Sequence, residues 1–118
     1  DLDEDEYGVA PFTVGTANVS MQDAIPSDVH LSQNYPNPFN PTTRIDYSVV
    51  SKGYVTLNIY DITGRLISTL VDGYVDAGYH SVMWNGIDDN GKIVAAGIYF
   101  YSLQNGSSNM TRKMVYMK

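Results

Sequence analysis

The sequence predicts an all-β domain built as an antiparallel sandwich of about seven short strands, and three observations predict it. Apolar and polar residues alternate with period two in run after run, as they do in strands with one face buried. Turn residues ending in glycine separate the runs at Gly53, Gly64, Gly78, Gly91 and Gly106, so the spacings are 11, 14, 13 and 15 residues. Glycine there supplies the positive φ that tight hairpin turns require. No segment holds a helical period over three turns, and β-branched and aromatic residues dominate every periodic run. With one tryptophan to fill the centre, these features argue for an immunoglobulin-like sandwich; a closed barrel is the competing architecture.

Residues 1–27 mix acids, Gly, Pro and small polar side chains without a sustained period. They read as an acidic linker or tail, with one short strand around Phe12 to Gly15, ahead of a domain over residues 28–118. A first strand is expected near His30 to Tyr35. Thr43 to Val49 then places Ile45, Tyr47 and Val49 inward and Arg44, Asp46 and Ser48 outward. Tyr54 to Tyr60 repeats the pattern with Val55, Leu57 and Ile59 inward. Leu66 to Val71 fits either orientation. His80, Val82 and Trp84 share a face, as do Tyr99, Tyr101 and Leu103. Met110 to Met117 has apolar residues on both sides and reads as a strand buried on both faces.

The chain has 118 residues, 13 acidic and 7 basic side chains, a net charge of −6 and no cysteine. That length fits one domain able to form a core without a disulfide or metal staple. Five of the carboxylates (Asp1, Asp3, Glu4, Asp5, Glu6) fall in the first six residues, leaving 13 − 5 = 8 acids against 7 bases in the body. The acidity therefore belongs to a tail. No window supplies the basic stripe that nucleic-acid binding needs, and no run of apolar residues is long enough for a membrane span. The start at Asp1, without Met or leader, reads as a piece of a longer precursor.

Catalysis finds few candidates. The two histidines, His30 and His80, stand far apart in sequence, and His80 reads as a rim residue with one nitrogen hydrogen-bonded. No nucleophile elbow, His-Glu-x-x-His pair or phosphate loop occurs, so no enzymatic activity and no cofactor are expected. Asp88-Asp89-Asn90-Gly91, with Asp61, offers the oxygen donors a calcium loop would use. An EF-hand loop closes on a bidentate Glu that is lacking here, so a capped hairpin turn accounts for the same residues and no metal is expected. Ten tyrosines invite a carbohydrate-binding reading, with Tyr74 and Tyr79 as the exposed pair flanking a turn.

Tyr35-Pro36-Asn37-Pro38-Phe39-Asn40-Pro41 is the densest signal. Its three prolines remove three backbone donors, so the stretch cannot lie mid-sheet and reads as a stiff extended crossing between the first two strands, anchored by Phe39.

Residues 31–43, which contain this stretch, closely resemble the opening of the type A C-terminal sorting domain of the bacterial type IX secretion system. Further matches follow in that family's order: Ile59-Tyr60-Asp61-Ile62-Thr63-Gly64-Arg65, His80 to Gly86 around Trp84, Gly97-Ile98-Tyr99-Phe100-Tyr101, and Arg112-Lys113-Met114-Val115 with Lys118. The resemblance covers residues 31–118. It implies a recognition motif comprising Asn37, Pro38, Phe39, Asn40, Pro41, Gly64, Arg65, Gly97, Tyr99, Arg112, Lys113 and Lys118. It also implies a non-catalytic address on a larger cargo protein, recognised by the outer-membrane secretion translocon and its processing machinery. The expected location is the periplasm in transit, then the cell surface or the medium. The strand from Met110 to Lys118 could then be presented as an edge with cationic guide charges. The turn pattern is also similar to the immunoglobulin-like domain of flagellar hook-capping proteins, which implies a structural assembly module instead.

Overall fold

A computed structural model describes residues 26–118; the linker and the strand expected around Phe12 to Gly15 lie outside the described residues. Seven strands occur in the order β1 (His30–Leu31), β2 (Thr43–Val49), β3 (Gly53–Asp61), β4 (Leu66–Val75), β5 (Gly78–Trp84), β6 (Gly97–Asn105) and β7 (Ser108–Tyr116). They form a three-stranded sheet β1-β2-β5 and a four-stranded sheet β4-β3-β6-β7, antiparallel throughout. The fold is the expected all-β sandwich, with no helix among the described residues.

The period-two runs bury the faces read from the sequence. Ile45, Tyr47 and Val49 of β2 meet Val55, Leu57 and Ile59 of β3 and Tyr99, Tyr101 and Leu103 of β6 in one core. Trp84, at the end of β5, lies among Phe39, Tyr99 and Tyr116, with ring centroids 5.6, 5.5 and 6.3 Å away. Its Nε1–H donates to the Ile87 carbonyl at 2.9 Å, so the indole is buried with its one polar group paired.

Four elements depart from expectation. β1 is only two residues long, because the backbone beyond it turns to other partners: the Asn34 amide donates to the Tyr101 hydroxyl at 2.8 Å. β4 runs to Val75 rather than Val71, with register shifts against β3. Ser48, expected outward, is buried and donates to the Asp28 carbonyl. β7 is not buried on both faces: Asn109 to Lys113 are exposed, and only Met114 and Tyr116 reach the core. The opposing layer narrows at that margin to the two-residue β1, which leaves nothing to cover the upstream half of the strand.

Candidate functional site

The Pro-rich stretch is a closed loop rather than an extended crossing. Tyr35 and Arg44 exchange two backbone hydrogen bonds, 2.9 and 2.8 Å, which pins the ends of residues 36–43 together. Inside the loop, the buried Asn34 amide group donates to the Pro36 carbonyl at 3.1 Å and to Thr43 Oγ1 at 3.0 Å. Thr43 Oγ1 in turn donates to the same carbonyl at 2.9 Å. Prolines supply no amide donors, so these side chains take over the holding of the loop.

The loop tip reaches across to the four-stranded sheet. Phe39 is fully buried, its ring stacked on Tyr116 with centroids 4.9 Å apart. The Phe39 amide donates to the Val115 carbonyl at 3.0 Å, the Met117 amide to the Phe39 carbonyl at 2.9 Å, and the Val115 amide to Asn37 Oδ1 at 3.0 Å. Gln33 Nε2 donates to the Lys113 carbonyl at 2.8 Å. Loop 33–39 therefore caps the outer edge of β7 from Lys113 onward.

Of the motif residues, Asn37, Phe39, Gly97, Tyr99, Arg112 and Lys113 gather around β7. Gly97 stands opposite Tyr116, Tyr99 opposite Met114 and Arg112 opposite Tyr101. Burial pushes the Tyr99 and Tyr101 phenols above their ordinary range. Pro38, Asn40, Pro41 and Lys118 are exposed. Arg112 is a tethered cation: its Nε donates to the Leu31 carbonyl at 2.6 Å and ties β7 to β1, while the residue stays exposed. Sequence reasoning missed the partners that make this assembly, Gln33, Asn34, Thr43 and the Tyr101 hydroxyl, which donates to the Ser32 carbonyl at 2.7 Å. These are long-range hydrogen bonds, invisible to local periodicity.

Gly64 and Arg65 sit apart, in a turn organised by Asp61. Asp61 Oδ1 accepts from the Thr63 hydroxyl (2.6 Å), the Thr63 amide (2.9 Å) and the Arg65 amide (3.1 Å), while Arg65 Nε lies 3.3 Å from Oδ2. The Thr63 hydroxyl bond, then the backbone amides and the Arg65 charge, hold the carboxyl below its usual range. Asp88 builds a matching turn, accepting from the Asn90 and Lys92 amides at 2.9 Å each. Gly64 and Gly91, with φ of 86° and 82°, occupy equivalent places in the two turns. Asp89 bonds instead to β4: its amide donates to the Ile67 carbonyl and its carboxylate accepts from the Thr69 amide. The three calcium candidates thus serve three separate backbone tasks. Among the described residues no group of three His, Cys, Asp or Glu side chains is placed to hold a metal ion.

One open concavity of about 720 Å³ lies against the three-stranded sheet and brings together residues the sequence kept apart, including His30, Asp46, Tyr79, His80 and Ser81. Ser81 donates to Asp46 Oδ1 at 2.6 Å, and Arg44 Nε lies 3.1 Å from the same atom. His80 Nε2 is bonded to the Asp76 carbonyl at 2.7 Å, and its ring stacks on Tyr47. Ser81 and His80 turn to different partners, the Asp46 carboxylate and the Asp76 carbonyl, so the two side chains do not form a Ser–His pair. Tyr74 and Tyr79 are exposed as expected, but Tyr74 packs edge-on against Tyr54 and Tyr79 lines the concavity.

Comparison with known proteins follows from this geometry. The chain resembles the solved FlgD from P. aeruginosa at 27% identity and a TM-score of 0.50, covering 63% of this chain and 58% of that one. FlgD from Xanthomonas campestris, described in connection with hook capping in flagellar assembly, is 24% identical over 77% of this chain and 63% of its own, with a TM-score of 0.51. Dimeric latent PorU from Porphyromonas gingivalis shares the fold at a TM-score of 0.59 and 21% identity, over 86% of this chain but 10% of its own. PorZ from the same organism, a surface component of the type IX secretion system, matches at 0.50 and 20% over 84% of this chain and 13% of its own. This chain therefore spans only part of each of these proteins. No curated protein matches significantly. Residues 45–109 match the FlgD Ig-like domain family, and the chain belongs to that family.

Proposed function

We propose that the chain is a non-catalytic sorting domain, an address read by type IX secretion machinery that carries an upstream cargo protein to the cell surface or the medium. The observation that carries this reading is the clasp between loop 33–39 and residues 113–117. Both halves lie outside the matched segment 45–109. Both also fall in segments whose sequence resembles a sorting domain, residues 31–43 and the basic closing strand from Arg112. A fold shared with PorZ, itself a type IX component, is consistent with the reading. The test is a folded reporter fused ahead of residues 1–118 in a bacterium that has this system. Export of the fusion, with retention of a fusion lacking residues 28–118, is expected; equal export of both overturns the reading.

A structural module of the FlgD kind is the second reading. It is favoured by the family match over residues 45–109 and by the 27% identity to a FlgD. A chain that assembles with hook subunits, and leaves the fused reporter unexported, supports this reading over the first.

A further inference from the structure

The register of β7 divides its outer edge into a closed half and an open half. Pairing with β6 runs without a shift from Asn105↔Ser108 to Gly97↔Tyr116. In an antiparallel pair the residues that bond the neighbouring strand alternate with residues whose amide and carbonyl point away. The bonds from Phe39, Asn37 and Gln33 reach Val115, Met117 and Lys113, so the odd-numbered residues face outward. By the same alternation the backbones of Asn109 and Thr111 face outward too. Among the described residues, nothing pairs with their edge-facing groups or with the Lys113 amide. β7 is the terminal strand of its sheet, and Asn109 to Lys113 are all exposed.

We propose that this open half, Asn109 to Lys113, is a docking edge for an extended peptide of a separate protein with acidic side chains at adjacent positions, added as a further strand. The proposal rests on the sorting reading for its biological setting, and names the surface by which the domain is read. Backbone pairing would supply the attachment, and charge the choice of partner. Arg112 and Lys113 are successive residues, so they project to opposite faces of the sheet. A strand laid alongside meets one cation on each face, which adjacent acidic residues complement. A second copy of this chain is disfavoured as occupant, because self-pairing collects two Arg112 and two Lys113 side chains within a few residues of one another.

The test uses the 118-residue chain and a synthetic eight-residue peptide of alternating valine and Asp-Glu pairs, with a Lys-Arg counterpart as control. The acidic peptide is expected to slow hydrogen exchange at the Thr111 and Lys113 amides and to shift their NMR resonances. Thr111→Pro should abolish these effects, since it removes an edge donor that the β6 ladder does not use. Lys113→Glu should weaken binding by about fivefold. Unchanged Trp84 fluorescence verifies that both variants are folded. Equal response to both peptides, no response, full binding by Thr111→Pro, or dimerisation of the free chain through this edge overturns the proposal. In the export assay, Thr111→Pro fusions should be retained; their normal export, alongside retention of the fusion lacking residues 28–118, sinks the docking edge and spares the sorting reading.

Discussion

The Phe39 ring lies almost parallel to that of Tyr116, with 17° between their planes, although one belongs to the loop joining β1 and β2 of the three-stranded sheet and the other to the last strand of the four-stranded sheet. Backbone bonds from Phe39 to Val115 and Met117 flank the stack, so one residue fastens the two layers at their margin.

Phe39→Ala should therefore cost about 3–5 kcal/mol, the range for emptying a buried aromatic site. Urea denaturation reads the loss. Hydrogen exchange should locate it first at the Val115 and Met117 amides, while the β3–β6 ladder stays protected.

Trp84→Ala should cost a similar amount, about 3–5 kcal/mol, because the indole touches both the clasp and Tyr99. A loss below about 1 kcal/mol in the same denaturation experiment would contradict its burial.

Gly86→Ala should destabilise despite adding a single methyl. A Cβ there would stand 2.8 Å from the Tyr116 ring, and Gly86 has a φ of 74°. Overpacking and backbone strain together predict about 1–3 kcal/mol, read as a lowered urea midpoint.

Tyr101→Phe leaves the Asn34 amide and the Ser32 carbonyl without their hydroxyl partner, which should cost about 1–3 kcal/mol. The phenol's folded pKa is raised by burial, so its contribution is present below about pH 10, the unfolded value, and is lost as pH rises through the higher folded value. Stability measured between pH 8 and 11 should fall less steeply in the variant than in the parent chain.

Asp61→Asn should flatten the acid limb. The carboxyl's folded pKa is lowered, so its contribution is present above about pH 4 and is lost as pH falls through the depressed folded value. Urea midpoints compared at neutral pH and near pH 2 should differ less in the variant.

Periodicity made most of the core legible. Ile45, Tyr47, Val55, Leu57, Ile59, Tyr101 and Leu103 are where alternation places them, since period two and burial are one constraint. The turns at Gly64, Gly78, Gly91 and Gly106 were legible because positive φ restricts residue choice so narrowly, whereas Gly53, expected to share that conformation, opens β3 without it. β7 was misread because Met110 lies on a stretch the facing layer does not cover, and apolar character alone does not tell coverage. The clasp was half legible: Phe39 stood out as an anchor among prolines, but its partner strand, and the roles of Asn34, Thr43 and Gln33, depend on contacts across the whole sequence.

Because Met114 and Tyr116 complete the core and Phe39 waits for them, a nascent chain cannot close its sandwich until about residue 117 has left the ribosome. Residues 31 to 105 would spend synthesis with an unsealed flank. Folding is thus deferred until translation has passed the last strand, and a polypeptide cut short before it should be left open to proteolysis.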